Sequence, residues 1–430
     1  MAVILEKKNR KVIPRWRSFR ATAALGELSS RGLPPKLLVS PEHFFARKLA
    51  DWRERKTLWH ATDLLGAALV LGRQLDATEA AKFVLSEDSG ASTPARDIAR
   101  RILTPGDVVE DESITYSTYN REVVSKRVRV LRLLSQEQPH NPIVWMDLAL
   151  SYSTVGELRK ADRAVKVAVS LAPVNRFILR SAARFYVHID DPEYAFQLLR
   201  DSEATREDPW LLAAEIAVGS AVGLGPRSIR PARQILQEHS NAPKHVSELA
   251  SALATLELES GKHGSARKLF RTALVAPTEN TVAQVEWASK YMTGLDIEVD
   301  RFKVPRLFEA KAWESFAKGA WQKAIDDSLD WYADQPFSSR PAELSSYLVV
   351  TILEDYKEAE RLLRDALKAN HSDPTLLNNL AFAYANEGRV DQAEETLARI
   401  SPGDITGITE VVIVATRGFI QFRRGLPDIG

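Results

Sequence analysis

The clearest pattern of apolar and polar positions begins at Pro142 and predicts two helices joined by a tight turn. Residues three and four positions apart share one face of a helix. Two such apolar sets follow one another, the first at Trp145, Leu148, Ala149 and Tyr152 and the second at Ala161, Val165 and Ala168. Gly156 supplies the turn, and Pro173 ends the second helix because proline lacks an N–H donor. We therefore expect a helical hairpin whose alanines let the two backbones approach closely.

The same spacing recurs along the chain, and a recurring hairpin pattern predicts a repeat architecture. Further copies lie at Leu179, Ala182, Ala183, Tyr186, Ala195 and Leu199, at Leu377, Leu380, Ala381, Tyr384, Ala393 and Leu397, and at Leu64, Ala67, Ala68, Leu71, Ala80 and Val84. Weaker copies run through 253–277 and around Ala324 and Ala359. The unit that begins at Pro209 departs from the pattern, since Gly223 and Gly225 lengthen its turn.

These residues resemble the signature of the tetratricopeptide repeat (TPR) family, a family of helical-repeat scaffold proteins. The resemblance covers roughly 58–92 and 116–430. It implies an all-α fold, a TPR-like α-solenoid of stacked helical hairpins with a basic N-terminal arm and one non-helical interruption. An irregular all-α bundle is the alternative, and it would keep most of the predicted helices.

The segments that break the repeat pattern predict the domain boundaries. The stretch after Pro105 is acidic, and apolar and charged residues alternate between Gly294 and Pro305, as in an extended segment. The predicted divisions are a basic arm with short helices (1–57), a TPR-like hairpin plus helix (58–104), an acidic linker (105–115), the main TPR array (116–293), an extended joint (294–304) and a C-terminal TPR array with an incomplete last repeat (305–430).

Composition narrows the classes of function. The 430 residues are 45% hydrophobic, which is enough to build a core, and there is no cysteine, so disulfides, thiolate catalysis and cysteine zinc sites are excluded. The longest apolar runs are far shorter than the roughly 20 residues that span a bilayer. We expect a cytoplasmic protein with no membrane partner, no cofactor and no metal site.

The formal net charge is only +1, but its distribution is uneven. Residues 1–60 hold 14 Lys and Arg against 5 Asp and Glu, so a basic head precedes an acidic body. The basic arm comprises Lys7, Lys8, Arg10, Lys11, Arg15, Arg17 and Arg20, with the aromatic residues Trp16 and Phe19 among them. Cations with stacking aromatics suit RNA or single-stranded DNA. The favoured interpretation is instead an arm that lies across the acidic body and buries Trp16. A mitochondrial presequence is a third interpretation of the same segment.

The family resemblance implies a concave groove, lined by the first helices of the hairpins, that binds peptides. Arg180 and Arg184 lie one turn apart on the face away from Leu179, where they could receive an acidic or C-terminal peptide. Asn378 and Asn379 are a further polar pair of the kind found in such grooves.

The last predicted helix, 408–424, is apolar around most of its circumference, including Phe419 and Phe422. A TPR unit would cover it with a second helix, and the remaining residues are too few to form one. We expect an exposed apolar patch: either the chain is cut short of its natural end, or this edge docks another protein or a second copy end-on.

No catalytic signature is convincing. Arg55 and His60 resemble the Arg-x4–6-His motif of HEPN ribonucleases, but an arginine close to a histidine is easily accidental in so basic a stretch. The leading hypothesis is a non-enzymatic TPR scaffold or adaptor for another protein, with self-association possible. The alternative is a nucleic-acid-associated accessory protein that uses the basic arm, partnered with an effector enzyme.

Overall fold

The computed structural model describes residues 13–24, 41–71, 73–103, 121–224, 228–239, 242–295, 297–401 and 408–425. Within these ranges the chain forms 22 α-helices and no β-strand, which confirms the all-α prediction. The acidic linker and the first four cations of the basic arm, Lys7 to Lys11, lie outside the described residues. Two compact units are formed, the larger from 1–19 and 114–430 and the smaller from 20–113.

The smaller unit is a set of helices around its own apolar core. Helix α1, Phe19–Ala24, begins at the boundary, and four helices follow: α2 Pro41–Glu54, α3 Leu58–Leu71, α4 Thr78–Leu85 and α5 Thr93–Leu103. Phe45, Trp52, Leu64 and Ile102 are buried together in this core. Helices α3 and α4 are the early repeat copy that the sequence pattern predicts, and the predicted positions Ala68, Ala80 and Val84 belong to the same core.

The larger unit is an array of helical hairpins. Its helices are α6 Arg121–Glu137, α7 Pro142–Thr154, α8 Leu158–Leu171, α9 Arg176–His188, α10 Pro192–Asp201, α11 Pro209–Ala221, α12 Ile229–Glu238, α13 Pro243–Glu259, α14 His263–Ala273, α15 Glu279–Ser289, α16 Phe308–Ala317, α17 Trp321–Asp334, α18 Ser339–Leu348, α19 Tyr356–Ala369, α20 Pro374–Asn386, α21 Val390–Ala398 and α22 Ile408–Arg423.

Local signals start and stop these helices where the sequence predicts. Asn141 and Asp373 each cap a helix that begins with proline, their side chains accepting hydrogen bonds from backbone N–H groups of the first turn. The predicted alanines at the hairpin contact, Ala149 and Ala161, have no exposed surface. The stacked-hairpin prediction is confirmed at the level of the fold.

The described residues of the predicted joint, 294–295 and 297–304, form no α-helix, and the joint lies inside the larger unit. Helix α15 ends at Ser289 and the next α-helix begins at Phe308, with a single 3-10 turn, Val299–Arg301, between them. Val299 is buried and its backbone N–H donates to Glu314 Oε1 at 3.1 Å. The segment therefore packs against the array and does not separate two compact units.

The array curves until distant repeats touch. Gly156, in the turn between α7 and α8, lies directly against the backbone carbonyl of Lys368 in α19. Near it, the guanidinium of Arg184 in α9 donates to Ser338 Oγ at 3.1 Å, and the ring of His188 packs edge-on against Phe337. These contacts enclose the inner face of the array.

Candidate functional site on the inner face of the array

Residues 13–19, which we call the N-terminal segment, lie on the inner face of the array. Asn280 Nδ2 in α15 donates to the carbonyl oxygen of Ile13 at 3.1 Å, and the backbone N–H of Phe19 donates to Asp147 Oδ1 in α7 at 2.9 Å. The ring of Phe19 packs edge-on against Phe177 of α9. The segment is thus held at both ends by first helices of different hairpins.

Trp16 anchors the middle of the N-terminal segment. Its side chain is only 1% exposed. The indole packs edge-on against Phe185 of α9, with ring centres 5.9 Å apart, and against Phe337, which precedes α18, with ring centres 5.3 Å apart. Edge-to-face aromatic contacts in this range add to the stabilisation from burying so large a side chain. Trp16 therefore fills an apolar slot between α9 and the residues that precede α18.

Arginines on either side of Trp16 bind three buried carboxylates. Arg17 Nη2 donates to both oxygens of Glu279, at 2.6 and 2.8 Å, and Arg17 Nε donates to Asp334 Oδ1 at 2.9 Å. Arg15 pairs with Glu309 and lies 3.4 Å from Glu279. All three carboxylates have side chains no more than 6% exposed. A bidentate guanidinium–carboxylate pair fixes orientation as well as charge, so the backbone position of the segment is well determined.

We call the slot at Phe185 and Phe337, together with Glu279, Glu309 and Asp334, the seat of the N-terminal segment. The electrostatics of this seat depend on the N-terminal segment being present. Burial acts to raise the pKa of Asp334, but the ion pairs with Arg17 and Arg306 outweigh it and hold that pKa at about 2. Arg306 Nη1 lies 2.6 Å from Asp334 Oδ1. Removing one partner of a buried ion pair leaves an uncompensated charge, which is strongly destabilising. The carboxylates are therefore a seat for cations rather than a patch of ordinary acidic surface.

The four predicted groove residues contact other groups of the protein. Arg180 is buried, donates to Glu248 Oε2 at 2.7 Å and stacks over the ring of Trp210. Arg184 lies 5.0 Å from the centre of the Phe337 ring. Asn378 and Asn379, in α20, have no exposed surface, and Asn379 Nδ2 donates to Ser346 Oγ at 3.1 Å. Their role in binding a peptide stays a prediction.

Of the basic arm, Arg15, Trp16 and Arg17 are bound to the inner face, and Arg20 is exposed. The arrangement agrees with the interpretation of an arm that lies across the acidic body. The sequence analysis did not identify Glu279, Glu309 and Asp334, the acidic half of the site. Glu279 and Glu309 fall in the first turns of first helices, but surface acids often occupy such positions, because carboxylates favour helix N-termini.

The C-terminal helix α22 buries one face and exposes the other. Val412, Ile413 and Ile420 are buried, whereas Val411 is 68% and Phe422 63% exposed. The two predicted interface residues differ in environment: Phe422 is exposed, while Phe419 is partly buried and its ring centre lies 5.3 Å from that of Phe382. Whether this face docks a partner stays a prediction.

Arg55 and His60 lie at the start of α3. His60 Nδ1 lies 2.9 Å from Thr57 Oγ1 and 3.1 Å from the carbonyl oxygen of Arg55, so it closes the start of α3. The Arg55 side chain is 72% exposed and lies 3.7 Å from Glu54. This geometry is that of a helix start.

Within the described part of the chain, no helix combines the length and the apolar character that a membrane crossing requires. No cluster of three or more histidine, aspartate or glutamate side chains there is arranged to hold a metal ion.

Comparison with known proteins supports the repeat assignment. The family model described as "Tetratricopeptide repeat" matches residues 352–404, which include the repeat copy at 377–397. A comparison with curated protein sequences finds no match. Among solved structures, yeast Tom70 is 12% identical and the alignment covers 94% of this chain and 87% of that chain, with a TM-score of 0.31. A structure of Naa15/Naa10 bound to HypK-THB is 13% identical, covering 90% of this chain and 65% of that chain, with a TM-score of 0.24. Such low scores carry no argument about function.

Proposed function

We propose that this tetratricopeptide repeat chain is a non-enzymatic scaffold that binds another protein on the inner face of its array. We propose further that its own N-terminal segment holds that face until the partner replaces it. The observation that carries the proposal is the seat itself: the inner face accommodates an extended polypeptide through an aromatic slot and buried carboxylates. Helical-repeat arrays present such concave surfaces for binding.

The chemistry of the seat defines the partner segment. The slot between Phe185 and Phe337 accepts a flat aromatic ring, and Glu279 and Asp334 accept a guanidinium beside it. A partner would therefore offer an extended stretch with an aromatic residue next to arginine. Arginine suits the site better than lysine because its planar fork matches both oxygens of a carboxylate.

Competition with the N-terminal segment sets the affinity that a partner needs. A tethered segment has an effective concentration in the millimolar range for short flexible tethers. A partner in trans must therefore bind far more tightly than the free segment would, or bind when the segment has been released. The arrangement favours a scaffold that is closed to weak or accidental ligands.

The alternative of a nucleic-acid-associated protein has less support from the geometry. Arg15, Trp16 and Arg17 would be the stacking and phosphate-binding groups of such an arm, and all three are engaged by the array. Nucleic acid would have to break these buried pairs before it could bind them.

The proposal is tested with a labelled peptide of residues 11–20 and a full-length variant carrying Trp16→Ala and Arg17→Ala. The peptide should bind this variant saturably in fluorescence anisotropy, and should bind the wild-type chain weaker by roughly a hundredfold or more, because the tethered segment competes. Adding Glu279→Gln to the double variant should abolish binding.

A matched control peptide carries alanine and glutamines in place of the tryptophan and arginines. Binding of the control peptide as tightly as the native one, or no binding of the native peptide to a folded double variant, would overturn the proposal. Salt-sensitive binding of RNA by the wild-type chain that is lost in the double variant, without binding of the peptide to that variant, would support the nucleic-acid alternative instead.

A further inference from the structure

Beside the seat of Trp16 lies a polar cavity of about 500 Å³. Its walls are the end of α9, the start of α18, the loop that precedes α20 and two residues of the N-terminal segment, Ile13 and Arg15. Small-molecule sites typically have volumes of roughly 300–1,000 Å³. The cavity has the size of a ligand site, and the peptide seat does not use it.

Three guanidinium groups converge on one part of this cavity. Arg184 and Arg340 line it together with Arg15. Arg15 and Arg340 both pair with the same carboxylate, Glu309, so three cations lie around one neighbouring anion. Among the described residues Arg184 has no ion pair: its guanidinium donates to Ser338 Oγ and stacks over the Phe337 ring.

The position of Arg184 is electrostatically unfavourable as it stands. Burial, followed by the nearby charges of Arg340 and Arg15, lowers its pKa to about 9, and only Glu309 acts in the other direction. Burial and the charge of Arg184 also hold the pKa of His188 at about 3, so that imidazole is neutral and does not add to the positive charge.

The wall of the cavity also includes Asp190, Asp373 and His371. Asp190 is exposed, and Asp373 Oδ1 accepts the backbone N–H of Leu376 at the start of α20. The start of α18 carries the positive end of a helix dipole, which favours an anion. Ser338 makes no side-chain cap at this helix start, and its hydroxyl instead accepts a hydrogen bond from Arg184. A partly buried cation that pairs with no carboxylate among the described residues, beside two more cations and a helix N-terminus, is the arrangement of an anion site.

We propose that this cavity binds a small phosphate-bearing molecule, with Arg184 and Arg340 contacting the phosphoryl oxygens at the start of α18. Arginine forks suit the several oxygens of a phosphate, and a group with more than one negative charge matches three surrounding guanidiniums better than a single carboxylate does. Because Arg15 also lines the cavity, the ligand would hold the N-terminal segment in place from its other side. The site shares Arg15 with the N-terminal segment on the peptide seat, but the proposal does not depend on the proposed function.

The test uses the full-length chain, with inorganic phosphate and pyrophosphate as probes. Titration calorimetry and thermal unfolding are measured in low-salt buffer, and each point is repeated with sodium chloride at the same ionic strength. The wild-type chain should show saturable binding and a rise in melting temperature that chloride does not reproduce. Pyrophosphate should bind more tightly than phosphate, because the cavity is larger than one phosphate ion.

The variant Arg184→Gln should lose the binding by at least tenfold. Without ligand it should be as stable as the wild type, because the substitution removes a desolvated cation that has no ion pair among the described residues. Arg184→Lys keeps the charge but not the fork and should bind with intermediate affinity. The matched control is Arg361→Gln, which removes an exposed arginine paired with Glu358 and should bind like the wild type.

Absence of saturable binding to the folded wild-type chain would overturn the proposal, whatever the variants do. Equal stabilisation of the wild type and Arg184→Gln would also overturn it, because that result shows general charge screening only. Binding of phosphate would leave the peptide-seat proposal untouched, since that is tested by the peptide from residues 11–20.

Discussion

The contact that closes the array can be tested by adding one methyl group. Gly156 has φ +82°, and a Cβ atom there would lie 2.0 Å from the carbonyl oxygen of Lys368 and 2.9 Å from its carbonyl carbon. Both atoms belong to the backbone of α19, so they cannot move away as a flexible side chain could. Gly388 is the natural control, because it occupies the same turn of a later repeat with φ +77° and has no atom within 4 Å of its Cβ position.

The two substitutions share one cost and differ in another. Alanine in the left-handed region costs about 1–2 kcal/mol, and this applies to both Gly156→Ala and Gly388→Ala. Only Gly156→Ala also forces two packed backbones apart, and overpacking of this kind typically costs about 1–3 kcal/mol more. We therefore expect losses in the free energy of unfolding of about 1–2 kcal/mol for Gly388→Ala and about 2–5 kcal/mol for Gly156→Ala.

Urea denaturation followed by far-UV circular dichroism measures both losses. Hydrogen exchange shows where the stability is lost, because the backbone amides of the last turn of α19, around Lys368, should exchange faster in Gly156→Ala than in Gly388→Ala. Equal losses in the two variants, with unchanged exchange in α19, would refute the inference that the turn after α7 touches α19.

Three further predictions follow from single groups. The pKa of Asp334 in the folded protein is about 2, below its usual value, so its ion pair stabilises the fold above about pH 4 and is lost as the pH falls from 4 to 2. Asp334→Asn should therefore lower the melting temperature at pH 7. In a series of thermal unfolding curves, this variant should also lose less stability than the wild type between pH 4 and pH 2. Burial raises the pKa of Asp147 to about 6, so the ionised carboxylate destabilises the fold at pH values above 6. Asp147→Asn should therefore increase the free energy of unfolding by on the order of 1–3 kcal/mol at pH 8 and leave it unchanged at pH 4. Phe419→Glu should lower the melting temperature by several degrees, because Phe419 is partly buried, whereas Phe422→Glu should leave it unchanged. Phe422→Glu should also reduce any self-association seen by light scattering. An equal change in melting temperature for the two variants would contradict the placement of α22.

The sequence predicts the hairpins because each repeat is encoded locally. Ala149 and Ala161 lie twelve residues apart, and the periodicity and turn glycine that bring them together stand between them. Stacking of neighbouring hairpins then follows from the apolar faces that each unit leaves uncovered. The predicted positions Leu148, Ala149, Ala161, Val165 and Ala168 are buried for this reason, whereas Trp145 is only partly buried.

The seat on the inner face could not be predicted in the same way. Arg17 meets Asp334 across 317 positions of sequence, and no local pattern specifies that pairing. It depends on the accumulated curvature of the array, to which every hairpin contributes a small rotation. Charge asymmetry between the basic head and the acidic body signals that some contact forms, but it does not select the carboxylates.

The distance in sequence between the N-terminal segment and its seat has a consequence for how the protein is made. During synthesis Arg17 leaves the ribosome 317 residues ahead of Asp334, and Arg15 and Trp16 leave just before Arg17. At about 5–20 residues per second, the segment waits roughly 15–60 s for its binding site. Throughout that time the aromatic–arginine stretch is available to chaperones or to other chains. Docking of the segment then becomes possible once the array has been made as far as Phe337, before α18 to α22 follow, and a chain interrupted before Asp334 would keep the stretch exposed as a sign of its unfinished state.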